Sequence, residues 1–280
     1  MENCLFTDGR INDQLRKQGF AVIDLASPEI IDGILQKTIS LLENFDHPRD
    51  RFFNFGQLND FNMRNRSFQL IEEAVLPLLK PWITENARTY AGTHLIKPPG
   101  KQSGFDPHQD NTMVDETKFR SYIFWMPLTE ITADNGAVCV LPGSHRFGNI
   151  YRSVSIPWIY RDVQELIQQN SQPVLLQKGQ AMIFDTELIH YSLPNLSKET
   201  RIAVNALILP IHSPIIKCIY RASWLKKFID IYEVGMDYYL NQSNEEKPAS
   251  GFKQLGSVKY RAKKLNAKDL EKLMKENSEV

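Results

Sequence analysis

The chain has 280 residues, 42% of them hydrophobic, so it can bury a substantial core, and we expect a single domain over residues 1–280. Its 33 basic residues balance 33 acidic ones, so no global positive field attracts nucleic acid or an anionic membrane, and a small-molecule partner is expected. Three scattered cysteines, a start without a signal-peptide core and the absence of an apolar run of membrane-helix length predict a cytoplasmic protein.

The N-terminal part, 1–89, is predicted to be mainly helical. The stretch GFAVIDL over 19–25 predicts a short strand, and a helix over 28–45 follows, with Ser27 as its cap and Pro28 at its first position. A second helical period of apolar residues predicts a helix near 67–88. Both helices are expected to pack on the core.

A change of pattern after Tyr90 predicts a β-sheet core over about 90–212, because short β-branched and aromatic runs alternate with turn residues. The triplet Asp134-Asn135-Gly136 between two of these runs predicts a hairpin. The interval 145–172 interrupts the strands and is predicted to form a lid or an outer helix.

The C-terminal part, 213–280, is predicted to be a helical extension. Residues 253–280 carry eight Lys or Arg against four Asp or Glu, which leaves a basic arm as one interpretation. The favoured interpretation is a solvated helix over 267–276, capped by Asn266 and docked through Leu270, Leu273 and Met274.

The stretch PHQD, residues 107–110, carries the first candidate ligands. At a strand end, His108 and Asp110 project to the same face with Cα atoms about 6.6 Å apart, which lets an imidazole and a carboxylate converge on one ion. An H-x-D triplet is common by chance, and two ligands hold a catalytic metal poorly. A third ligand is therefore sought among His47, His94, His145, His190 and His212.

His190 has the most suitable setting, because it lies in KGQAMIFDTELIHYS, directly after an apolar strand. With His108 and Asp110 it would form a 2-His-1-carboxylate triad, which suits non-haem Fe(II) and dioxygen. Arg201 opens the next apolar strand and is either an anchor for an anionic cosubstrate or a strand-end arginine paired with an acid. Ser192 is either a turn residue or a second group facing the same pocket.

The ordered motifs LIKPPGKQSGFDPHQD, NGAVCVLPGSHR and KGQAMIFDTELIHYS, followed by an arginine eleven residues after the histidine, resemble the phytanoyl-CoA dioxygenase family of Fe(II)/2-oxoglutarate oxygenases. The resemblance covers roughly residues 90–210. It implies a mainly β fold with flanking helices around a double-stranded β-helix (jelly-roll, cupin-like) core.

The resemblance also implies roles for the candidate residues. His108, Asp110 and His190 would bind Fe(II), and Arg201 with Ser192 would bind the distal carboxylate of the cosubstrate 2-oxoglutarate. The implied reaction uses O₂ to hydroxylate an unactivated C–H bond of a small molecule. Residues Gly143 to His145 in LPGSHR are expected to be structural, so His145 receives no metal role.

The sequence leaves the substrate and some alternatives open. An amino acid, an acyl thioester and a secondary metabolite all remain candidate substrates. A metal-dependent isomerase or hydrolase, a non-catalytic metabolite-binding protein on the same barrel, and a halogenase remain alternative functions. Aromatic residues at 122–125 and 158–160 either line the pocket or belong to the core. Lys97 and Lys101 either meet a phosphate or carboxylate or are solvated beside the Pro-Pro-Gly turn, and the solvated state is the favoured expectation.

Overall fold

The computed structural model describes residues 4–43, 45, 48–148, 151–222, 226–235, 238–241, 251–261 and 264–278, so His47 and residue 44 lie outside the described residues. The helices, in chain order, are α1 (Gly9–Gln18), α2 (Pro28–Glu43), α3 (Phe61–Ala74), α4 (Leu76–Leu79), α5 (Gln164–Asn170), α6 (Tyr238–Asn241) and α7 (Ala267–Ser278). The strands, in chain order, are β1 (Phe20–Asp24), β2 (Phe53–Asn54), β3 (Ala87–Lys97), β4 (Phe105–His108), β5 (Tyr122–Pro127), β6 (Val138–Val140), β7 (Gln172–Val174), β8 (Gln180–Asp185), β9 (His190–Ser192), β10 (Arg201–Pro210), β11 (Ile216–Ala222), β12 (Lys227–Glu233) and β13 (Gln254–Lys259).

The strands of the described ranges form three antiparallel sheets. The large sheet has the order β1-β8-β5-β10-β3-β2, the small sheet has the order β4-β9-β6-β7, and a C-terminal sheet has the order β11-β12-β13. The large and small sheets face each other across a shared core to which Trp125 and Phe184 contribute from one side and Val138 and Val140 from the other. This arrangement is the predicted jelly roll, and the predicted fold class is confirmed.

The N-terminal helices cover the outer face of the large sheet. Residues of β10 alternate between the two faces, so Ile202 and Val204 pack under the helices while Ala203 faces the small sheet. Helix α3 approaches β3 closely at Gly92, where a Cβ atom would lie 2.7 Å from the side chain of Ile71. Ile71 is fully buried, so Ile71→Ala would destabilise the fold by about 2–5 kcal/mol.

The predicted N-terminal helices are confirmed in part. Helix α2 begins at Pro28 as predicted, although Ile30 on it is 47% exposed and does not join the core. The prediction of a helix near 67–88 was wrong. Helix α3 begins at Phe61, capped by Asp60, and ends at Ala74, because Pro77 opens the separate short helix α4 and β3 already begins at Ala87.

The predicted hairpin at Asp134-Asn135-Gly136 was also wrong. Gly136 adopts a positive φ of 88°, as the tight turn requires, but the flanking strands belong to different sheets. Strand β5 pairs with β8 and β10, whereas β6 pairs with β7 and β9. The turn therefore carries the chain from one sheet of the jelly roll to the other.

The C-terminal part is not the predicted helical extension, because β11, β12 and β13 form a sheet there. The predicted terminal helix is confirmed as α7, with the Asn266 side chain accepting a hydrogen bond from the Asp269 N–H and Leu270 fully buried. The organisation of residues 1–280 as one domain stays a prediction. None of the helices in the described ranges has the length and apolar character that crossing a bilayer requires.

His94 belongs to the interior between the helices and the large sheet. Its side chain is fully buried, and its two ring nitrogens contact Ser67 Oγ at 2.8 Å and Thr38 Oγ1 at 3.1 Å. Burial lowers the pKa of His94 to about 3, so the ring is neutral in the folded protein at pH 7.

Candidate active site

Strand pairing brings the three candidate metal ligands together. Strands β4 and β9 are neighbours, and His108 lies directly opposite His190 in their register. Asp110 follows β4 and is held by a hydrogen bond of 3.1 Å from its N–H to the Thr186 carbonyl. One ligand atom from each of the three side chains lies within 4.8 Å of the others.

Both imidazoles use Nδ1 for a main-chain carbonyl, which leaves Nε2 available to this site. The Nδ1 atom of His108 lies 2.9 Å from the Asp106 carbonyl oxygen, and the Nδ1 atom of His190 lies 3.0 Å from that of Leu188. Because a carbonyl oxygen only accepts, each Nδ1 carries a proton, and Nε2 is the ring nitrogen left to bind a metal. Hydrogen bonds of this kind fix the ring orientation of metal-ligating histidines.

The distances and charges at the site also suit a metal ion. His190 Nε2 and Asp110 Oδ2 are 3.8 Å apart, too far for a hydrogen bond and close enough for one ion to bond both at about 2.0–2.2 Å. Burial, with a smaller effect of His190, lowers the pKa of His108 to about 3, so His108 is neutral at pH 7. Desolvation raises the pKa of Asp110, while His190 and Arg152 act in the opposite direction.

A buried network of charged side chains holds the loop that carries Asp110. Arg152 donates from Nη1 and Nη2 to the Glu116 carboxylate, each at 2.6 Å, and from Nε to the main-chain oxygen of Asp110 at 2.9 Å. Glu187 lies beside Arg152 and pairs with Arg120. Burial and the nearby Glu116 raise the pKa of Glu187 to about 7. The network therefore ties the 145–172 interval to the ligand loop.

Arg201 is the first residue of β10, lines the same cavity as the three candidate ligands and is 3% exposed. Its Nε and Nη1 atoms have no hydrogen-bond partner within the described part of the chain, and its guanidinium stacks over the Trp125 ring at 5.4 Å from the centroid. Burial lowers the pKa of Arg201 to about 10, so it stays charged at pH 7. A buried, charged and unsatisfied guanidinium is costly unless an anion binds it.

Ser192 lines the same cavity as Arg201, and Lys97 lies beside it. Lys97 donates from Nζ to Ser192 Oγ at 2.7 Å and to the Leu193 carbonyl oxygen at 2.7 Å. The expectation that Lys97 is solvated was wrong, because its side chain is fully buried. Lys101 is exposed, as expected.

The ligand triad and Arg201 open into one cavity of about 410 Å³. Its walls combine aromatic and aliphatic side chains with polar and charged ones, and Trp125 on β5 and Trp158 in the 145–172 interval are among the lining residues. Strand alternation turns Phe124 to the opposite, helix-covered face, and Tyr160 is buried in a separate core. The predicted interval 145–172 both lines this cavity and forms the outer helix α5.

The LPGSHR motif contacts the residue before His190 and the end of α1, as expected of a structural element. Ser144 Oγ accepts a hydrogen bond of 2.8 Å from the N–H of Ile189, next to His190. His145 contacts the Arg16 carbonyl oxygen at 3.3 Å, and Arg146 donates to the Arg16 and Lys17 carbonyl oxygens at the end of α1. His145 thus faces α1 and not the ligand triad.

The sequence model of the phytanoyl-CoA dioxygenase (PhyH) family matches residues 15–203, which is most of the chain and includes every candidate site residue. The chain belongs to the phytanoyl-CoA dioxygenase (PhyH) family. The match also extends upstream of the motifs that carry the sequence resemblance, into the N-terminal helices that cover the large sheet.

Curated relatives of this PhyH-family chain match over shorter segments. A phytanoyl-CoA dioxygenase domain-containing protein 1 homolog from Dictyostelium discoideum is 30% identical over 104 residues, covering 34% of this chain and 37% of the relative. Phytanoyl-CoA dioxygenase 1 from Oryza sativa subsp. japonica is 27% identical over 124 residues, covering 41% of this chain and 42% of the relative. The chain thus spans less than half the length of these relatives.

Solved structures with the same fold match over more of the chain. EctD from S. alaskensis, in its apoform, has a TM-score of 0.54 at 19% identity, covering 75% of this chain and 79% of EctD. The epimerase SnoN, in complex with Fe³⁺, alpha-ketoglutarate and nogalamycin RO, has a TM-score of 0.54 at 16% identity, covering 74% of this chain and 84% of SnoN. At these identities the likeness shows a shared jelly-roll fold.

Sequence reasoning missed Lys97 and the Arg152 network. The neighbours of Lys97 along the chain do not indicate its burial, because its position opposite Arg201 is set by the β3–β10 register. No local signal identifies Arg152, since its partner Glu116 is 36 residues away in the chain and the pair forms only in the folded state.

Proposed function

We propose that the protein is a non-haem Fe(II)/2-oxoglutarate-dependent dioxygenase that hydroxylates an unactivated C–H bond of a small molecule. His108, Asp110 and His190 would bind Fe(II), and Arg201 with Ser192 would bind the distal carboxylate of 2-oxoglutarate. One observation carries the proposal: a set of three ligand side chains with two bare Nε2 atoms shares a cavity with a buried guanidinium whose Nε and Nη1 lack partners among the described residues.

The chemistry of this ligand set favours Fe(II) and dioxygen, because two imidazoles and one carboxylate leave coordination positions open for a cosubstrate and O₂. When bound, Fe(II), 2-oxoglutarate and O₂ would supply the oxidation of a C–H bond, coupled to conversion of 2-oxoglutarate into succinate and CO₂. The protein's own residues would orient the cosubstrate and exclude water. Arg201, stacked on Trp125, would fix the far end of the cosubstrate through charge-assisted hydrogen bonds.

The cavity supports a small-molecule substrate with apolar and polar parts, and Arg161 on its lining could meet an anionic group. Phe52, Phe105 and Trp158 contribute aromatic surface, while Asn54 and Gln57 contribute amides. Within the described lining residues, Asp110 carries the one carboxylate, so a cationic substrate group would meet no other acid there. A volume of about 410 Å³ fits a ligand of modest size.

The alternative functions use only part of this site. A metal-dependent isomerase or hydrolase would use the triad but has no need of Arg201, and a metabolite-binding protein has no need of bare ligand nitrogens. The structural relatives SnoK, a carbocyclase, and SnoN, an epimerase, support a wider range of outcomes on the same fold. Hydroxylation is therefore a proposal that product analysis must test.

Anaerobic reconstitution tests the reaction class. Addition of Fe(II) and 2-oxoglutarate to the full chain should produce a visible charge-transfer band, because the cosubstrate chelates the iron, and the His190→Ala variant should not produce it. Absence of the band in the native protein would refute the proposal and leave the isomerase, hydrolase and binding functions. After O₂ is admitted, succinate release across a panel of candidate compounds identifies the substrate, and a product mass increase of one oxygen atom indicates hydroxylation.

A further inference from the structure

Lys97 is the side chain at this site whose role the proposed function leaves open. It ends β3, is fully buried, and donates from Nζ to the Ser192 hydroxyl and to the Leu193 carbonyl, both at 2.7 Å. The aliphatic part of the Lys97 side chain packs against Gly136, where a Cβ atom would lie 2.4 Å from Lys97 Cδ. Gly136 also has a φ of +88°, so two independent constraints keep a glycine there.

Lys97 and Arg201 form a pair of adjacent bases. They are direct partners in the β3–β10 register, and neither forms an ion pair with a carboxylate in the described part of the chain. The groups that face Lys97 are the Arg201 guanidinium, the Cys139 thiol of β6, the Ser192 hydroxyl and the Phe52 ring, which lies 5.7 Å from Nζ. A bound anion would offset both the desolvation of these bases and their mutual repulsion.

We propose that Lys97 is a positioning residue for the distal carboxylate of 2-oxoglutarate, acting by directing the Ser192 hydroxyl and by adding a second positive charge beside Arg201. This inference rests on the proposed function. An N–H that donates to Ser192 Oγ occupies an acceptor position of that oxygen, which leaves the O–H free to donate elsewhere. Ser192 and Arg201 line the same cavity, so an anion held there by Arg201 would give this O–H an acceptor, which it has from no side chain in the described ranges.

Proton uptake is a consequence that distinguishes this role from packing. Burial, followed by the charge of Arg201, lowers the pKa of Lys97 to about 6, so the amine of the free protein is largely unprotonated at pH 7.5. An incoming carboxylate favours the ammonium form and raises this pKa. Binding of 2-oxoglutarate at pH 7.5 should therefore take up about one proton per cosubstrate molecule.

Calorimetric titration of 2-oxoglutarate into the full chain loaded with Mn(II), at pH 7.5 in phosphate and in Tris, measures affinity and proton uptake together. The wild type should take up a proton, and Lys97→Met, which keeps the stem and removes the amine, should take up none. Lys97→Met should also bind 2-oxoglutarate about 10- to 100-fold more weakly, since a charge-assisted hydrogen bond contributes about 1.5–3 kcal/mol. Ser192→Ala should weaken binding while retaining the proton uptake.

Several outcomes would overturn the role of Lys97. These are a wild type that takes up no proton, uptake that persists in Lys97→Met, or a folded Lys97→Met with an affinity within about twofold of the wild type. If Lys97→Met does not fold, the wild-type and Ser192→Ala titrations still decide, because uptake must be present in both. The Arg201→Ala variant separates the two proposals. If Arg201→Ala binds 2-oxoglutarate as the wild type does, the proposed function fails. If Arg201→Ala loses binding while Lys97→Met keeps it, only the role of Lys97 fails.

Discussion

Replacement of Arg201 by alanine is the sharpest test of the cosubstrate site. The guanidinium is 3% exposed, and its Nε and Nη1 have no partner among the described residues, as the proposed role in binding a carboxylate requires. Each charge-assisted bond to a carboxylate contributes about 1.5–3 kcal/mol, and a carboxylate left buried without its partner costs about 3–5 kcal/mol. At about 1.4 kcal/mol per tenfold, Arg201→Ala should weaken 2-oxoglutarate binding by about a hundredfold or more.

The assay is the 2-oxoglutarate dependence of succinate formation, measured together with bound metal. Arg201→Ala should raise the KM for 2-oxoglutarate steeply while metal content stays close to native, because the ligand triad is untouched. Arg201→Lys should be intermediate, since it keeps the charge and loses the planar fork. Arg88→Ala is a matched control, because Arg88 lies at the opposite end of the same strand pair and should leave the KM unchanged. An unchanged KM in Arg201→Ala would make Arg201 a structural strand-end residue.

Three further predictions follow from the same geometry. His108→Ala or His190→Ala should lose Fe(II) and activity while circular dichroism shows a retained fold, because both rings face an open cavity; full activity of either variant would contradict the triad. The native protein should give no chlorinated product in chloride buffer, because Asp110 occupies the coordination position that chloride would need, and a chlorinated product would show that Asp110 does not coordinate. His94 has a folded-state pKa of about 3, below its unfolded value of about 6.5, so it stabilises the fold above pH 6.5 and this contribution is lost as pH falls toward 3. Denaturant unfolding of wild type and His94→Gln should show their difference in free energy of unfolding shrinking by about 2 kcal/mol from pH 7.5 to pH 5, and a difference independent of pH would refute a neutral buried His94.

The candidate site was predictable from sequence because its residues follow the period of a strand. His190 and Ser192 alternate onto one face of β9, and Arg201 opens a strand whose apolar residues leave no ordinary reason for a buried cation there. The burial of Lys97 was not predictable from its neighbours along the chain, since a lysine beside Pro-Pro-Gly is typical of a solvated turn. Only the pairing of β3 with β10 brings Lys97 opposite Arg201.

The errors in the fold have related physical causes. An Asn-Gly turn specifies a local backbone conformation, but the partners of β5 and β6 lie 32 or more residues away in sequence. Val138, for example, pairs with Val174 and Ser192, and Tyr122 pairs with Asp185 and Ile208. Strand β13 gives little sequence signal, because it is largely exposed and its residues show almost no alternation between apolar and polar types. Helix α3 was placed too late because apolar spacing continues past Ala74, where Pro77 ends the ladder of backbone hydrogen bonds.

The position of the candidate site between two sheets bears on how it would select the proposed cosubstrate. The ligand histidines lie on β4 and β9 of the small sheet, whereas Arg201 and Lys97 lie on β10 and β3 of the large sheet. Ser192 links the two sheets, because it lies two residues from His190 and accepts the hydrogen bond from Lys97. The span from metal ligands to anion anchors is therefore set by the packing of a close-packed core and not by a mobile loop, and such a core does not adjust by the length of a methylene at low cost. A diacid shorter than 2-oxoglutarate should contact either the metal or the Arg201–Lys97 pair, but not both. It should therefore lose the gain in affinity that simultaneous contact with both would give.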